Sequence, residues 1–319
     1  MKRLAMLALA VAACHAAAQP AFPQKPVRMV VAFTAGSETD YLARIVGQKL
    51  GENLGQQVVI DNRPGANGNI GTDIVAKSPP DGYTIVMAFD GTIAINPSVY
   101  AKLPFDPQAD LAPIANVARV ALLLVTHPSV PATNIAQFVA HAKSAPGKIN
   151  YSSAGPGSTG HLTGELLKTR AGFDMVHIAY KGGGQAVQDL LAGRIQALFT
   201  GVPTVEEHIK TGKLRAIAFS TAKRVAQLPD VPTLAESGYA DFDVASWYGL
   251  FAPAKTPGEV INRLNAAALA VLAQADTRQR FAALGTEAGG GTPMEFAETV
   301  KRDTERWAGI VKAVGIRLD

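Results

Sequence analysis

The chain has 319 residues, 48% of them apolar, with 30 lysines and arginines against 26 acidic side chains and a single cysteine. Lys2 and Arg3 supply two of the basic groups, which leaves the rest near charge balance without a basic stripe or interleaved aromatics, and this argues against nucleic acid as a partner. With Cys14 alone, an internal disulfide framework and a cysteine metal site are excluded, and at about 300 residues the core is expected to divide into two lobes.

Met1-Lys2-Arg3 precedes an uncharged run from Leu4 to Ala13 that is too short for a stable membrane span and reads as an export leader. Ala16-Ala17-Ala18 supplies small residues for cleavage before Gln19, so residues 1–18 are assigned to a signal peptide. Val11-Ala12-Ala13-Cys14 also fits a lipoprotein processing box; soluble export is preferred over lipidation of Cys14, because only the lone thiol favours the anchor.

Beyond the leader, strand and helix signals alternate, which predicts an α/β protein with mostly parallel sheets. Val27–Phe33 reads as a strand and Asp40–Leu54 as a helix, with Leu42, Ile45, Val46, Leu50 and Leu54 at helical spacing. Val58–Ile60 is the next strand, Ile70–Ala76 a short helix and Thr84–Ala88 a third strand; Asn96–Tyr100 makes a turn and Leu103–Pro107 a rigid loop. Val120–Thr126 is apolar throughout, as a strand buried on both faces should be. A second series follows: helix Asn134–Ser144, strand Lys148–Tyr151, helix His161–Arg170, strand Val176–Ala179, helix Ala186–Leu191, then strands at Ala197–Phe199 and Leu214–Ala218. Strand Trp247–Phe251 and helices Pro257–Ala273 and Pro293–Val314 complete the pattern, with no repeat or low-complexity tract.

Two loops share one design, a strand end followed by glycines and hydroxyls and then a helix: Phe33-Thr34-Ala35-Gly36-Ser37-Glu38-Thr39-Asp40 and Ser152-Ser153-Ala154-Gly155-Pro156-Gly157-Ser158-Thr159-Gly160-His161. The first amides of a helix have no internal partner and carry partial positive charge, so such ends hold carboxylates or phosphates. One loop from each lobe would grip a small dianion without arginine. The simpler reading of Ser158, Thr159, Thr39 and Asp40 is that they are helix caps, which taken one loop at a time is the commoner role. Gly155, Gly157 and Gly160 also match a dinucleotide fingerprint, but the following strand ends in Ala179-Tyr180-Lys181 where an acidic residue is required. Tyr180-Lys181-Gly182-Gly183-Gly184-Gln185 is a third turn opening a helix. No nucleophile elbow, phosphate loop or His-Glu-x-x-His is present, and His127, His141, His161, His177 and His208 are scattered. Ser158 and His161 are the one conceivable reactive pair, although three residues apart at a helix start they favour local hydrogen bonding. Trp247-Tyr248 reads as core or hinge packing rather than ligand contact.

The wording of Asn62-Arg63-Pro64-Gly65-Ala66-Asn67-Gly68-Asn69-Ile70-Gly71 and Pro80-Asp81-Gly82-Tyr83-Thr84, with the first loop and the Tyr180–Gly184 turn, resembles the periplasmic solute-binding proteins of tripartite tricarboxylate transporters, the Bug family. The resemblance extends from about Pro26 to about Gly315. It implies a two-lobed α/β periplasmic binding protein fold, type II-like, with an interlobe cleft; the lobes would be residues 25–122 with 247–319, and 123–246, the chain crossing near Leu122 and Ser246. It implies a non-enzymatic receptor for a small carboxylic acid (dicarboxylate, tricarboxylate or acidic amino acid), delivering to two transporter membrane subunits, with no cofactor or metal, acting as a periplasmic monomer. The alternatives are an exported enzyme acting on a carboxylated metabolite and a ligand-sensing partner of a membrane kinase.

The ligand-binding residues expected from loop design and resemblance together are Thr34, Ala35, Gly36, Ser37, Thr39 and Asp40 on the first lobe and Ser153, Gly155, Ser158, Thr159 and His161 on the second. Asp90, at the end of the third strand, is a further cleft candidate, and the resemblance adds Gly182 and Gly183. Asp40 is expected to accept amide bonds or orient a water. Alanine at both Ser158 and Thr159 is expected to weaken binding without disturbing the fold. The first loop departs from the paired glycines usual in the family, and Glu38 there is expected either to face solvent or to meet a positive group such as an amino-acid ammonium. Thr200-Gly201 stands where relatives often have an aspartate.

Overall fold

The computed structural model describes residues 22–180 and 183–318. The leader with Cys14, and the glycine Gly182 with its neighbour Lys181, lie outside the described residues. The first series of elements is β1 (Val27–Val31), α1 (Glu38–Leu54), β2 (Val58–Asn62), α2 (Asn69–Ala76) and β3 (Thr84–Phe89), followed by a π-helical segment at Gly91–Ile95 and the short α3 (Asn96–Val99). The 16-residue β4 (Leu111–Thr126) leads to α4 (Ile135–Ser144), β5 (Asn150–Ser152), α5 (Thr159–Ala171), β6 (Val176–His177), α6 (Gly183–Leu191), β7 (Ala197–Gly201), α7 (Glu206–Lys210) and β8 (Arg215–Phe219). The chain returns on β9 (Ala245–Pro253) and closes with α8 (Gly258–Leu272), α9 (Ala275–Ala283), β10 (Thr286–Ala288) and α10 (Pro293–Val314).

The strands form one sheet ordered β2-β1-β3-β9-β4-β7-β5-β6, with β8 and β10 also on β4. Parallel pairing is confined to β1 with β2 and β3 and to β5 with β6 and β7, whereas β9 and β4 run antiparallel to every strand they pair with. The expectation of mostly parallel sheets is corrected here: two strands pass between the halves without a crossover helix, and a direct return is antiparallel. β4 pairs with β9 through Ala121, with β7 from Leu122 and with β8 from Leu123 onward, so one strand serves both halves. Its N-terminal half was hidden in the sequence by Pro113, which sits at a register shift between Pro113 and Ala115, where a missing amide donor is tolerated.

Both faces of the sheet are covered, which accounts for the unbroken apolar strands. Met29 and Val31 of β1 pack with Leu42, Ile45, Val46 and Leu50 of α1 and Leu264 of α8. Val30 on the opposite face packs with Val75 of α2 and with Phe296 and Trp307 of α10. In the second half, Leu123 and Val125 face Leu190 and Phe219, while Leu122 and Leu124 join the cluster of Phe138, Tyr151 and Phe199. Two helices begin on local chemistry: Ser37 Oγ accepts from the Asp40 amide at α1, and Thr292 and Glu295 form a reciprocal cap at α10. Gly249 of β9 lets Phe296 lie directly on the sheet, since a β-carbon there would come 2.2 Å from the ring.

Candidate functional site

The first loop is held in shape by Asp40. Its Oδ2 accepts from the Gly36 amide and from Arg44 Nε, each at 2.9 Å, and its Oδ1 accepts from Asn62 Nδ2 at 3.0 Å. Asn62 also donates to the Phe33 carbonyl, which ties the loop to the end of β2. Burial raises the Asp40 carboxyl, but the bonds from Arg44, Gly36 and Asn62 outweigh it and hold it below the usual carboxylate value. Gly36 takes a φ of +81°, a left-handed conformation open to glycine. Thr34, Ala35 and Gly36 are exposed, Ser37 is half-buried and Thr39 is buried. Ser37 uses its oxygen as the cap, and the amides of Glu38 and Thr39 have no partner among the described residues, so the start of α1 offers two open donors.

The second loop is more tightly knit. Ser158 caps α5 by accepting from the His161 amide and donates its own proton to Ser153 Oγ at 2.9 Å. Ser153 Oγ also accepts from the Gly155 amide and lies 3.0 Å from His177 Nε2. His161 Nδ1 accepts from the Gly157 amide, and the His161 ring stacks on His177 with centroids 3.7 Å apart. Burial pushes the two rings down to about 4 and about 3 respectively, the neighbouring His161 adding to the effect on His177, so both are neutral near pH 7. Tyr151 beneath them donates to the His161 carbonyl and, at 2.6 Å, to Glu165 Oε1. The Thr159 and Gly160 amides are the open pair at this helix start. Gly155 has φ +149° and faces the Tyr180 carbonyl, where a β-carbon would sit at 3.2 Å, which brings the third turn against the second loop. Gly183 begins α6; Gly182 lies outside the described residues.

Ser158 is therefore not paired with the His161 ring: its proton goes to Ser153, and the ring nitrogen that faces the loop is occupied by the Gly157 amide. That geometry lacks the nucleophile–base contact that acyl chemistry requires.

Asp90 joins the halves. It is fully buried, its Oδ2 accepts from Thr159 Oγ1 of α5 at 2.7 Å and its Oδ1 accepts from Ser246 Oγ of β9 at 2.5 Å. Burial, only partly opposed by the Ser246 and Thr159 hydroxyls and reinforced by Asp303, pushes its carboxyl up to about 7. Thr159 thus donates to a buried carboxyl, so alanine at Thr159 is expected to cost some stability as well as any effect on binding. Phe33 of the first loop meets Phe89 edge-on at 4.9 Å, one residue before Asp90, so the first loop and α5 are linked through a short chain of contacts.

Of the two arrangements expected of Glu38, the solvent-facing one is corrected. It turns inward, and its Oε2 accepts from Tyr248 OH at 3.0 Å while Oε1 is shielded from solvent without a partner. Among the described residues no positive group is paired with it. Burial pushes the carboxyl up to about 7, against the lowering effect of the Tyr248 bond. The partners of Tyr248 and Ser246 on β9 and of His177 on β6 were not legible in the sequence, because each lies remote in the chain and no local spacing announces it.

Two surface crevices, of about 330 and about 590 Å³, are lined by groups such as Arg119, Lys223 and Glu287 or Arg170, Asp241 and Arg306, away from both helix starts.

Residues 42–316 match the model of the tripartite tricarboxylate transporter family receptor. The chain is 37% identical to protein BugT of Bordetella pertussis over 298 residues, covering 93% of this chain and 91% of that protein. Among solved structures it is similar to Rpa4515 of R. palustris with adipate (37% identity, TM-score 0.86, 93% of this chain and 99% of that one). It is also similar to the periplasmic binding protein BugD (35%, TM-score 0.82, 93% and 99%) and to MatC of Rhodopseudomonas palustris with bound malate (31%, TM-score 0.81, 91% and 100%).

Proposed function

Because the chain belongs to the tripartite tricarboxylate transporter receptor family, we propose that it binds a small carboxylic acid between its two lobes and delivers it to two membrane subunits of such a transporter. It is a solute receptor and not an enzyme. The observation that carries the ligand class is the pair of open helix starts, Glu38 and Thr39 on α1 and Thr159 and Gly160 on α5. Each offers two amide donors and the positive end of a helix dipole, which suits a carboxylate at either end of a short acid.

In this reading Thr34, Ala35, Gly36, Ser37 and Thr39 line one side of the cleft, and Ser153, Gly155, Ser158, Thr159 and Gly183 the other. Asp40, His161 and Asp90 shape the two loops from behind. The lobes divide at about Leu122 and Ser246, where β4 changes partners and β9 begins, and closure is a hinge motion favoured by ligand contacts to both sides. The leader directs the chain to the periplasm, where it works as a monomer. Adipate in Rpa4515 and malate in MatC support a dicarboxylate as the first ligand to try.

The test is the melting temperature of the protein against mono-, di- and tricarboxylates and acidic amino acids, since a ligand that binds only the folded state must raise it. A rise with one class of acid supports the reading, and no rise with any of them refutes it.

A further inference from the structure

Glu38 combines two features that conflict in an anion site. Its own amide and that of Thr39 are open at the start of α1 and attract a carboxylate, yet its side chain buries a second carboxyl group next to Tyr248. Oε2 is occupied by the Tyr248 hydroxyl, whereas Oε1 is buried and meets no donor. A β-carbon on Gly201, at the end of β7, would lie 3.9 Å from Oε1, so the carboxyl reaches from the first helix start to a strand end of the other half.

Among the described residues, the groups packed around it offer no countercharge. Tyr248 on β9 is a neutral phenol held far above its ordinary range by burial and by Glu38 itself. Asp90, which also acts on Tyr248, is another acid. Val120 of β4 and Pro203 flank Gly201, and Arg119 beside Val120 points to solvent. On α1, Asp40 is matched by Arg44. A charged Glu38 would leave one oxygen unsatisfied and would repel an arriving carboxylate.

Resting on the carboxylate-receptor reading above, we infer that the cleft takes up its ligand together with one proton: Glu38 becomes a neutral acid whose Oε2 accepts from Tyr248 and whose Oε1–H donates to a ligand carboxylate oxygen. The proton comes from solvent and is released when the ligand leaves. Burial already places the Glu38 carboxyl at about 7, so the proton is available near neutrality, and a carboxylate beside it raises that value further. A ligand ammonium at Oε1 would do the reverse and expel the proton.

The experiment is titration calorimetry of the full chain with adipate, malate and succinate, all fully ionised under the conditions used, in buffers of different ionisation enthalpy from about pH 7 to about pH 9. The expected result is uptake approaching one proton per bound acid and an affinity falling about tenfold per pH unit at the alkaline end. Glu38→Gln, which can still accept from Tyr248 and donate to the ligand, is expected to bind without proton uptake, with a flat pH profile, and more tightly than the unsubstituted chain at about pH 9. Binding with no proton exchange or with proton release overturns the inference alone. So does uptake that persists in Glu38→Gln and disappears in Asp90→Asn. Failure of these three acids to bind, together with no rise in melting temperature for any acid of the wider panel, overturns the receptor reading on which it rests.

Discussion

Thr159, the first residue of α5, donates its hydroxyl proton to Asp90 at 2.7 Å, binding the second half of the molecule to the end of β3 in the first. The contact lies in the interior, and Ser246 on the returning strand completes it at 2.5 Å. A hydrogen bond to a buried carboxyl is worth more than one at the surface, because losing the donor leaves one oxygen of the acid without water or that partner.

Thr159→Val keeps the shape of the side chain and removes that donor. The expected loss is about 1–3 kcal/mol of stability, seen as a lower midpoint in urea. Ser158→Ala removes a cap and is expected to cost about 1 kcal/mol, with ligand affinity read separately by calorimetry.

Stability between about pH 4 and about pH 7 is set by opposed groups. The carboxyls of Asp90 and Glu38 have folded values raised from 3.8 and 4.5 to about 7, so each favours the folded state more as pH falls through that window. His161 and His177 are lowered from 6.5 to about 4 and about 3, and their contribution is present above 6.5 and lost as pH falls toward those values. Asp90→Asn removes one opposing contribution. Its melting temperature is expected to drop more steeply than that of the unsubstituted chain on acidification from pH 7 toward about 5; a parallel pair of curves would contradict the assignment.

Asp40 carries a folded value below 3.8, so its contribution is full above that point and disappears as pH falls through the lowered value. Asp40→Ala strips the acceptor from the Gly36 amide, Arg44 and Asn62. The expected loss is about 2–4 kcal/mol near pH 7, with weaker ligand binding because the first loop is no longer held. Denaturant midpoints at neutral and strongly acidic pH check this, the difference between variant and parent shrinking in acid.

Gly249→Ala places a methyl group 2.2 Å from the ring of Phe296, which is buried against the sheet. The ring or the strand must shift, and a loss of about 1–3 kcal/mol is expected by thermal unfolding. Phe296→Leu in the same chain should relieve part of it, since a smaller side chain yields the space.

Much of the architecture is legible along the chain. Leu42, Ile45, Val46 and Leu50 announce α1, and Leu122 to Val125 announce a strand buried on both faces. The strand starts at Leu111 rather than Val120, however, because Pro113 masks a segment that a register shift accommodates. The two glycine-rich helix starts also read correctly as local structure, since Ser37 and Ser158 each cap an amide three residues on. What could not be read was orientation: Glu38 follows a capping serine and looks like a solvated first-turn acid, yet it faces Tyr248.

The sequence by itself determined the periodicities, the caps and the glycine turns, because each depends on atoms within a few residues of one another. The tertiary structure decided which polar groups meet in the interior. Asp90 finds Thr159 and Ser246 at separations of 69 and 156 residues, and Glu38 finds Tyr248 at 210. Burial then shifts the charge of both carboxyls, and burial is a property of the folded packing that no stretch of chain possesses alone.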